Sequence, residues 1–207
     1  MRIPKQIKAI ILDIDGTLID SEDGLWWVLF QGILKELNMQ PQKKSTFLTH
    51  AGEFSRHLTR SLSGKAKKEA MGKIREYIHK NYMKHINKVS IFSDTIPTLK
   101  GLKKKGLTLA TVTNTPRNLS FPTVQKFGLP KYFKTMVFRY DVKKIKPAPD
   151  MLLLALKRLN LKASQVIYIG DKHTDKIAAR AAGIYFIGLK TAGNKRIERL
   201  NQIVKMV

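Results

Sequence analysis

The chain of 207 residues contains no cysteine, which excludes disulfides and thiolate metal centres and agrees with a reducing cytoplasm as the expected location. Carboxylates are also scarce: 15 Asp and Glu stand against 39 Lys and Arg, for a formal net charge of +24. Long apolar runs are missing too. The amino-terminal stretch MRIPKQIKAIILDID is basic and then apolar, but Asp13 interrupts it before a signal-peptide core can form, and the run Met151 to Leu156 is far short of the roughly 20 residues that span a bilayer. A soluble protein with no membrane partner is expected. Hydrophobic residues at 43% against 26% charged describe a chain that folds around a substantial core.

The excess of positive charge attracts phosphate-bearing partners, nucleic acid among them. Its distribution argues for a plainer role. The lysines are spread through "QKKS", "GKAKKEA", "LKKKG" and "VKKIK", with no arginine-rich tail and no interleaved aromatics, which is the pattern of a solvated surface. Nucleic acid is therefore a possible partner and not the favoured one. With so few acidic residues, each aspartate in an apolar context stands out.

The apolar rhythm changes along the chain. From about Asp20 to Asn87 it is helical, through Trp26, Trp27, Leu29, Phe30, Ile33, Leu34 and Leu37, and later through Met71, Ile74, Tyr77, Ile78, Tyr82 and Ile86. On that spacing Trp26 and Trp27 are expected in a helical core. Elsewhere short runs rich in β-branched and aromatic residues read as buried strands: "AIILD", "GLTLATVT" (106–113), "KTMVFR" (134–139), "QVIYIG" (165–170) and "GIYFIG" (183–188). Helical segments separate them at 95–105, 117–127, 149–159 and 174–182, and an amphipathic stretch follows Gly193. Alternation of this kind predicts an α/β fold, a parallel sheet with helices on both faces, carrying a helical insertion directly after its first strand. The expected division is 1–19 and 88–207 for the sheet domain and 20–87 for the insertion.

Open parallel sheets bind ligands beyond the carboxyl ends of their strands. Here those ends carry polar groups: Asp13 and Asp15 after the first strand, Thr113 and Asn114 after the second, and Gly170 and Asp171 after the fourth, with Asp175 four residues on. Lys146 lies in "IKPAPD" after the third. Turn chemistry alone would account for Asp and Gly singly, but not for this convergence. Several carboxylates at one point suit a hard divalent cation such as magnesium. One carboxylate can attack phosphorus, a second can move the proton, and a hydroxyl, backbone amides and an ammonium can hold the phosphoryl oxygens.

At these residues the sequence resembles the haloacid dehalogenase superfamily. "DIDGT" is similar to its first motif, "TVTN" to its second, "IKPAPD" to its third and "IGDKHTD" to its fourth, in the family's order and over about residues 7 to 190. The resemblance implies a Rossmann-like core and Asp13 as nucleophile and magnesium ligand. It implies Asp15 as general acid and base, with its backbone carbonyl on the metal. Thr113 and Lys146 would bind the phosphoryl group, Asn114 would lend its backbone amide, and Asp171 and Asp175 would hold Mg2+. The aspartate at position 15 is similar to the phosphatases and phosphomutases of the family. The helical block is similar to the small all-helical cap of the phosphoglycolate phosphatase and phosphoglucomutase-like branch. A magnesium-dependent phosphatase of a small phosphorylated metabolite is the expectation. The alternatives are a sugar phosphomutase and, in other classes, a receiver-like phosphoacceptor or a nucleic-acid-binding protein on a phosphatase-like scaffold.

Three further groups carry less specific signals. Arg56, His57 and Arg60 lie within about one helical turn and suit recognition of an anionic leaving group, although surface basic residues are ordinary in so basic a chain. Asp175, one turn into a helix, also suits the helix dipole. His173 reads as part of a solvated turn.

Overall fold

A computed structural model describes residues 6–50 and 53–207. The strands among these residues are β1 (Ala9–Leu12), β2 (Ile19–Asp20), β3 (Ser90–Ile91), β4 (Thr108–Val112), β5 (Thr135–Val137), β6 (Val166–Gly170), β7 (Tyr185–Leu189) and β8 (Lys195–Ile197). The α-helices among the described residues are α1 (Trp27–Glu36), α2 (Lys44–His50), α3 (Phe54–Leu58), α4 (Gly64–Asn81), α5 (Thr95–Lys104), α6 (Arg117–Lys126), α7 (Asp150–Leu159) and α8 (His173–Ala181). The chain divides into two compact units. One holds Ile91–Val207 with the described residues up to Ile19, and the other is Asp20–Ser90. Residues 88–90, expected with the sheet, cluster with the helical unit.

The first unit is built on a six-stranded sheet in the order β5-β4-β1-β6-β7-β8, with every neighbouring pair parallel. Strands β1, β4, β6 and β7 are short and buried on both faces, as the continuous apolar runs predict. Alternate residues separate the two faces. Ala9, Ile11, Ala110, Val112, Val166, Tyr168 and Phe186 join Met151, Leu152 and Ala155 of α7 and Ala178 and Ala179 of α8 in one core cluster. This is the Rossmann-like α/β architecture. Its strand order reverses at β1, which has β4 on one side and β6 on the other, and such a reversal opens a crevice at the carboxyl ends.

Three strands, β2, β3 and β8, were not legible. The amphipathic stretch after Gly193 opens with β8, and its segment Leu200–Lys205 is a 3-10 helix. Residues 190–194 are far fewer than the dozen or so of an ordinary parallel crossover. They suffice because β8 starts beside Ile187, so the chain needs only to fold back along the end of β7. Asn194 makes that return by pairing with Phe186 through both its backbone N–H and its side-chain oxygen. Gly188 has no room for a side chain, since a Cβ there would lie 2.1 Å from the Thr191 carbonyl oxygen.

The second unit has its own core of Phe30, Ile33, Leu34, Phe47, Phe54, Leu58 and Ile74. Trp26 and Trp27 pack on it, with Trp27 stacked on Phe30 at 6.0 Å between ring centroids. No helix among the described residues is long and apolar enough to cross a membrane.

Candidate active site

The site grows from the ends of β1 and β6. The backbone N–H of Asp13 donates to Ile169, extending the parallel ladder one residue past β1 and fixing the carboxylate at the sheet's edge. The chain then turns sharply at Gly16, whose φ of 81° favours glycine. A Cβ at Gly16 would also lie 2.4 Å from Asp171 Oδ2, so the absent side chain makes room for a carboxylate of the neighbouring loop. Thr17, buried just after the turn, donates its hydroxyl to Asp171 Oδ1 at 3.1 Å.

Lys146 ties these loops together. Its Nζ donates to Asp13 Oδ1 at 2.7 Å, lies 2.7 Å from Asp175 Oδ1 and donates to the Tyr168 hydroxyl at 3.1 Å. Lys146 is 5% exposed, Asp13 4% and Asp175 0%, so the cluster is desolvated and its charges interact strongly. Asn114 holds the lysine's backbone. Its side-chain amide donates to the Lys146 carbonyl at 3.0 Å and accepts from the Lys146 N–H at 3.1 Å.

Asp15 is held separately. Its Oδ2 accepts from the hydroxyls of Thr113, at 3.2 Å, and Thr115, at 3.0 Å, while Thr115 N–H donates to Thr113 Oγ1. Asp171 faces Lys172, whose Nζ is 2.9 Å from Oδ2. Asp175 Oδ2 accepts the Lys172 backbone N–H at 3.0 Å, as a side chain in the first turn of α8 can.

Four carboxylates thus face two ammonium groups, and the electrostatics follow. Burial raises the Asp13 pKa well above the ordinary carboxylate value; Lys146 opposes this, and Asp175, Asp171 and Asp15 reinforce it. Burial also raises Asp171, against the pull of Lys172. For Lys146, burial favours the neutral amine, but Asp13 and Asp175 outweigh it and hold the ammonium above its usual range.

Such a cluster is short of positive charge. Carboxylate oxygens of Asp13, Asp171 and Asp175 lie within 4.8 Å of one another, a hard, all-oxygen donor set that fits a divalent cation such as magnesium.

All seven core residues singled out in the sequence (Asp13, Asp15, Thr113, Asn114, Lys146, Asp171 and Asp175) come together in the first unit. Arg56, His57 and Arg60 lie in the helical unit. There Arg56 pairs with Glu53 at 2.9 Å, and His57 stacks on His50 at 3.9 Å between ring centroids. Burial, His50 and Arg60 lower the His57 pKa. His173 is exposed at the start of α8. Four neighbours went unread: Thr17, Thr115, Lys172 and Tyr168. The first three are polar residues next to motif positions, a signal that was available. Tyr168 reads as core.

A family model described as haloacid dehalogenase-like hydrolase matches residues 10–189. The chain belongs to that family. A Haemophilus influenzae phosphoglycolate phosphatase is 30% identical, over 93% of this chain and 89% of its own. An Escherichia coli phosphoglycolate phosphatase is 29% identical, over 89% and 82%. The fold is shared with the crystal structure of a haloacid dehalogenase-like hydrolase from Bacteroides fragilis, at a TM-score of 0.86 and 24% identity, covering 96% of this chain and all of that one. This haloacid dehalogenase-like chain is an enzyme, a hydrolase of the phosphatase kind.

Proposed function

We propose that this enzyme is a magnesium-dependent phosphatase that hydrolyses a small phosphorylated metabolite through a phosphoryl group carried on Asp13. The observation that carries the reading is the convergence at one strand end of two neighbouring aspartates, Asp13 tethered to the ammonium of Lys146 and Asp15 accepting from the hydroxyls of Thr113 and Thr115, beside the carboxylates of Asp171 and Asp175. The Lys146 ammonium favours the ionised Asp13 carboxylate that a nucleophile requires, against the burial that raises its pKa, and the two threonine hydroxyls fix the Asp15 carboxylate close by.

In the first step the Asp13 carboxylate forms a bond to phosphorus as the bond to the ester oxygen breaks, and Asp15 gives that oxygen its proton. In the second, Asp15 takes a proton from water, the water oxygen bonds to phosphorus, and the acyl phosphate bond breaks to return Asp13 and release inorganic phosphate. Lys146 orients Asp13 throughout and offsets charge on the transferring group. Asp13, Asp171 and Asp175, with the Asp15 backbone carbonyl, would hold magnesium, which when bound supplies positive charge toward the anionic ester.

The helical unit is assigned the selection of substrate, with Arg56, His57 and Arg60 as its candidates; the support is the resemblance to capped phosphatases and the basic character of these residues. Because the two relatives named above are phosphoglycolate phosphatases, phosphoglycolate is the first ester to try.

The test is a panel of small phosphate monoesters, with a 5′-phosphorylated oligonucleotide as a separate arm, assayed with and without magnesium. We expect magnesium-dependent phosphate release from a small ester, little from the oligonucleotide, and none from either with Asp13→Asn. Failure of every small ester, or full activity in Asp13→Asn, contradicts the reading.

A further inference from the structure

Tyr168 has a role in the cluster that its place in the core conceals. It sits in β6, in register with Ile11 of β1 and Phe186 of β7, its ring 5.7 Å from that of Phe186. An apolar residue would meet the packing needs of this position. The hydroxyl serves only the polar cluster, donating to Asp175 Oδ1 at 2.6 Å and accepting from Lys146 Nζ at 3.1 Å.

The donor and acceptor count is closed. An ammonium has three N–H groups, and Asp13, Asp175 and Tyr168 offer Lys146 three acceptors. Asp175 is pinned at both oxygens, Oδ1 by Lys146 and Tyr168, and Oδ2 by the Lys172 backbone. The two partners differ in stiffness. Lys146 is a long, flexible side chain on a loop without regular structure, whereas Tyr168 is completely buried in a strand paired on both sides. The sheet therefore sets where the hydroxyl lies, and the hydroxyl limits where the ammonium can go.

We propose that Tyr168 is a positioning residue for phosphoryl transfer: its hydroxyl, fixed by the sheet, holds Asp175 and the Lys146 ammonium so that the ammonium stays on Asp13. The inference rests on the phosphatase reading for its kinetic consequence, and on the geometry alone for its structural one. Without the hydroxyl, Lys146 keeps a donor with no acceptor and Asp175 loses one of its two Oδ1 partners, so the ammonium settles toward Asp175 and away from Asp13.

The test is Tyr168→Phe, alone and combined with Asp175→Asn, read by steady-state kinetics, thermal unfolding and the crystal structure of the single variant. Expected are a folded Tyr168→Phe protein, kcat lower by about tenfold with KM little changed, and Lys146 Nζ displaced from Asp13. In the Asp175→Asn background the second substitution should cost little more, because both act through one network. A purely structural role predicts independent losses that multiply, which would overturn the proposal. So would a wild-type rate in Tyr168→Phe, or a Lys146 Nζ that stays in place. If the wild-type enzyme hydrolyses no ester, the phosphatase reading fails, and the position of Lys146 in the variant crystal still decides the role of Tyr168.

Discussion

Asp13 and Lys146 depend on each other. Both are almost fully buried, and each would be costly to leave in the core without the other. Replacing Lys146 by Ala should therefore lower kcat/KM by at least about a hundredfold, on the order of 3 kcal/mol of lost transition-state stabilisation; an unchanged value in steady-state assays would put the lysine outside the chemistry. At this scale the clustering of Asp13 and Asp15 was legible because a charge set directly after a buried apolar run is costly unless a cation or a hydrogen-bond donor meets it there. The hydrogen-bond partners were less so. Thr113, expected on the phosphoryl group, gives its hydroxyl to Asp15, and Asn114, expected to act through its backbone amide, clamps the backbone of Lys146 with its side chain. Sequence reports which groups converge; hydrogen-bond geometry decides which partner each one takes. Tyr168 was hidden for a related reason, since a tyrosine in an apolar strand has the same pattern whether its hydroxyl is used or not.

Elements were recognised where their pattern ran long enough to show a period. Strands β1, β4, β5, β6 and β7 and helices α5 to α8 lie within the expected segments to within a residue or two at most ends. Strand β8 has three residues, two of them exposed and basic, which is too short to display alternation and too polar to read as buried. The glycines at element ends carry information that pattern reading passes over. Gly170 closes β6 where a Cβ would lie 2.5 Å from Asp175 Oδ2 and 2.6 Å from its Cγ. Gly170→Ala should consequently displace Asp175, lower activity by tenfold or more on the order expected for a misplaced catalytic group, and lower the melting temperature. A variant with normal kinetics would show that Asp175 needs no fixed position.

Across the whole molecule the net charge of +24 coexists with a cluster in which carboxylates outnumber ammonium groups, so the basic surface and the acidic site have different tasks. The cluster links stability to pH. The Asp13 and Asp171 pKa values are raised in the folded state, so their contribution to stability is fully present below the ordinary carboxylate pKa and is lost as pH rises through the raised values. A divalent cation binds the ionised form and should restore what is lost. The magnesium-induced rise in melting temperature should thus be larger at about pH 7.5 than at about pH 5; scanning calorimetry showing the reverse order would contradict this. The central claim is that the phosphoryl group passes first to the protein and then to water. In-line displacement inverts phosphorus once, so two successive displacements restore its configuration. The most direct measurement is the stereochemical course at phosphorus with an isotopically chiral phosphorothioate monoester hydrolysed in water carrying the third oxygen isotope, so that the released thiophosphate is itself chiral. Net retention is predicted, and net inversion, the mark of a single attack by water, would contradict the account.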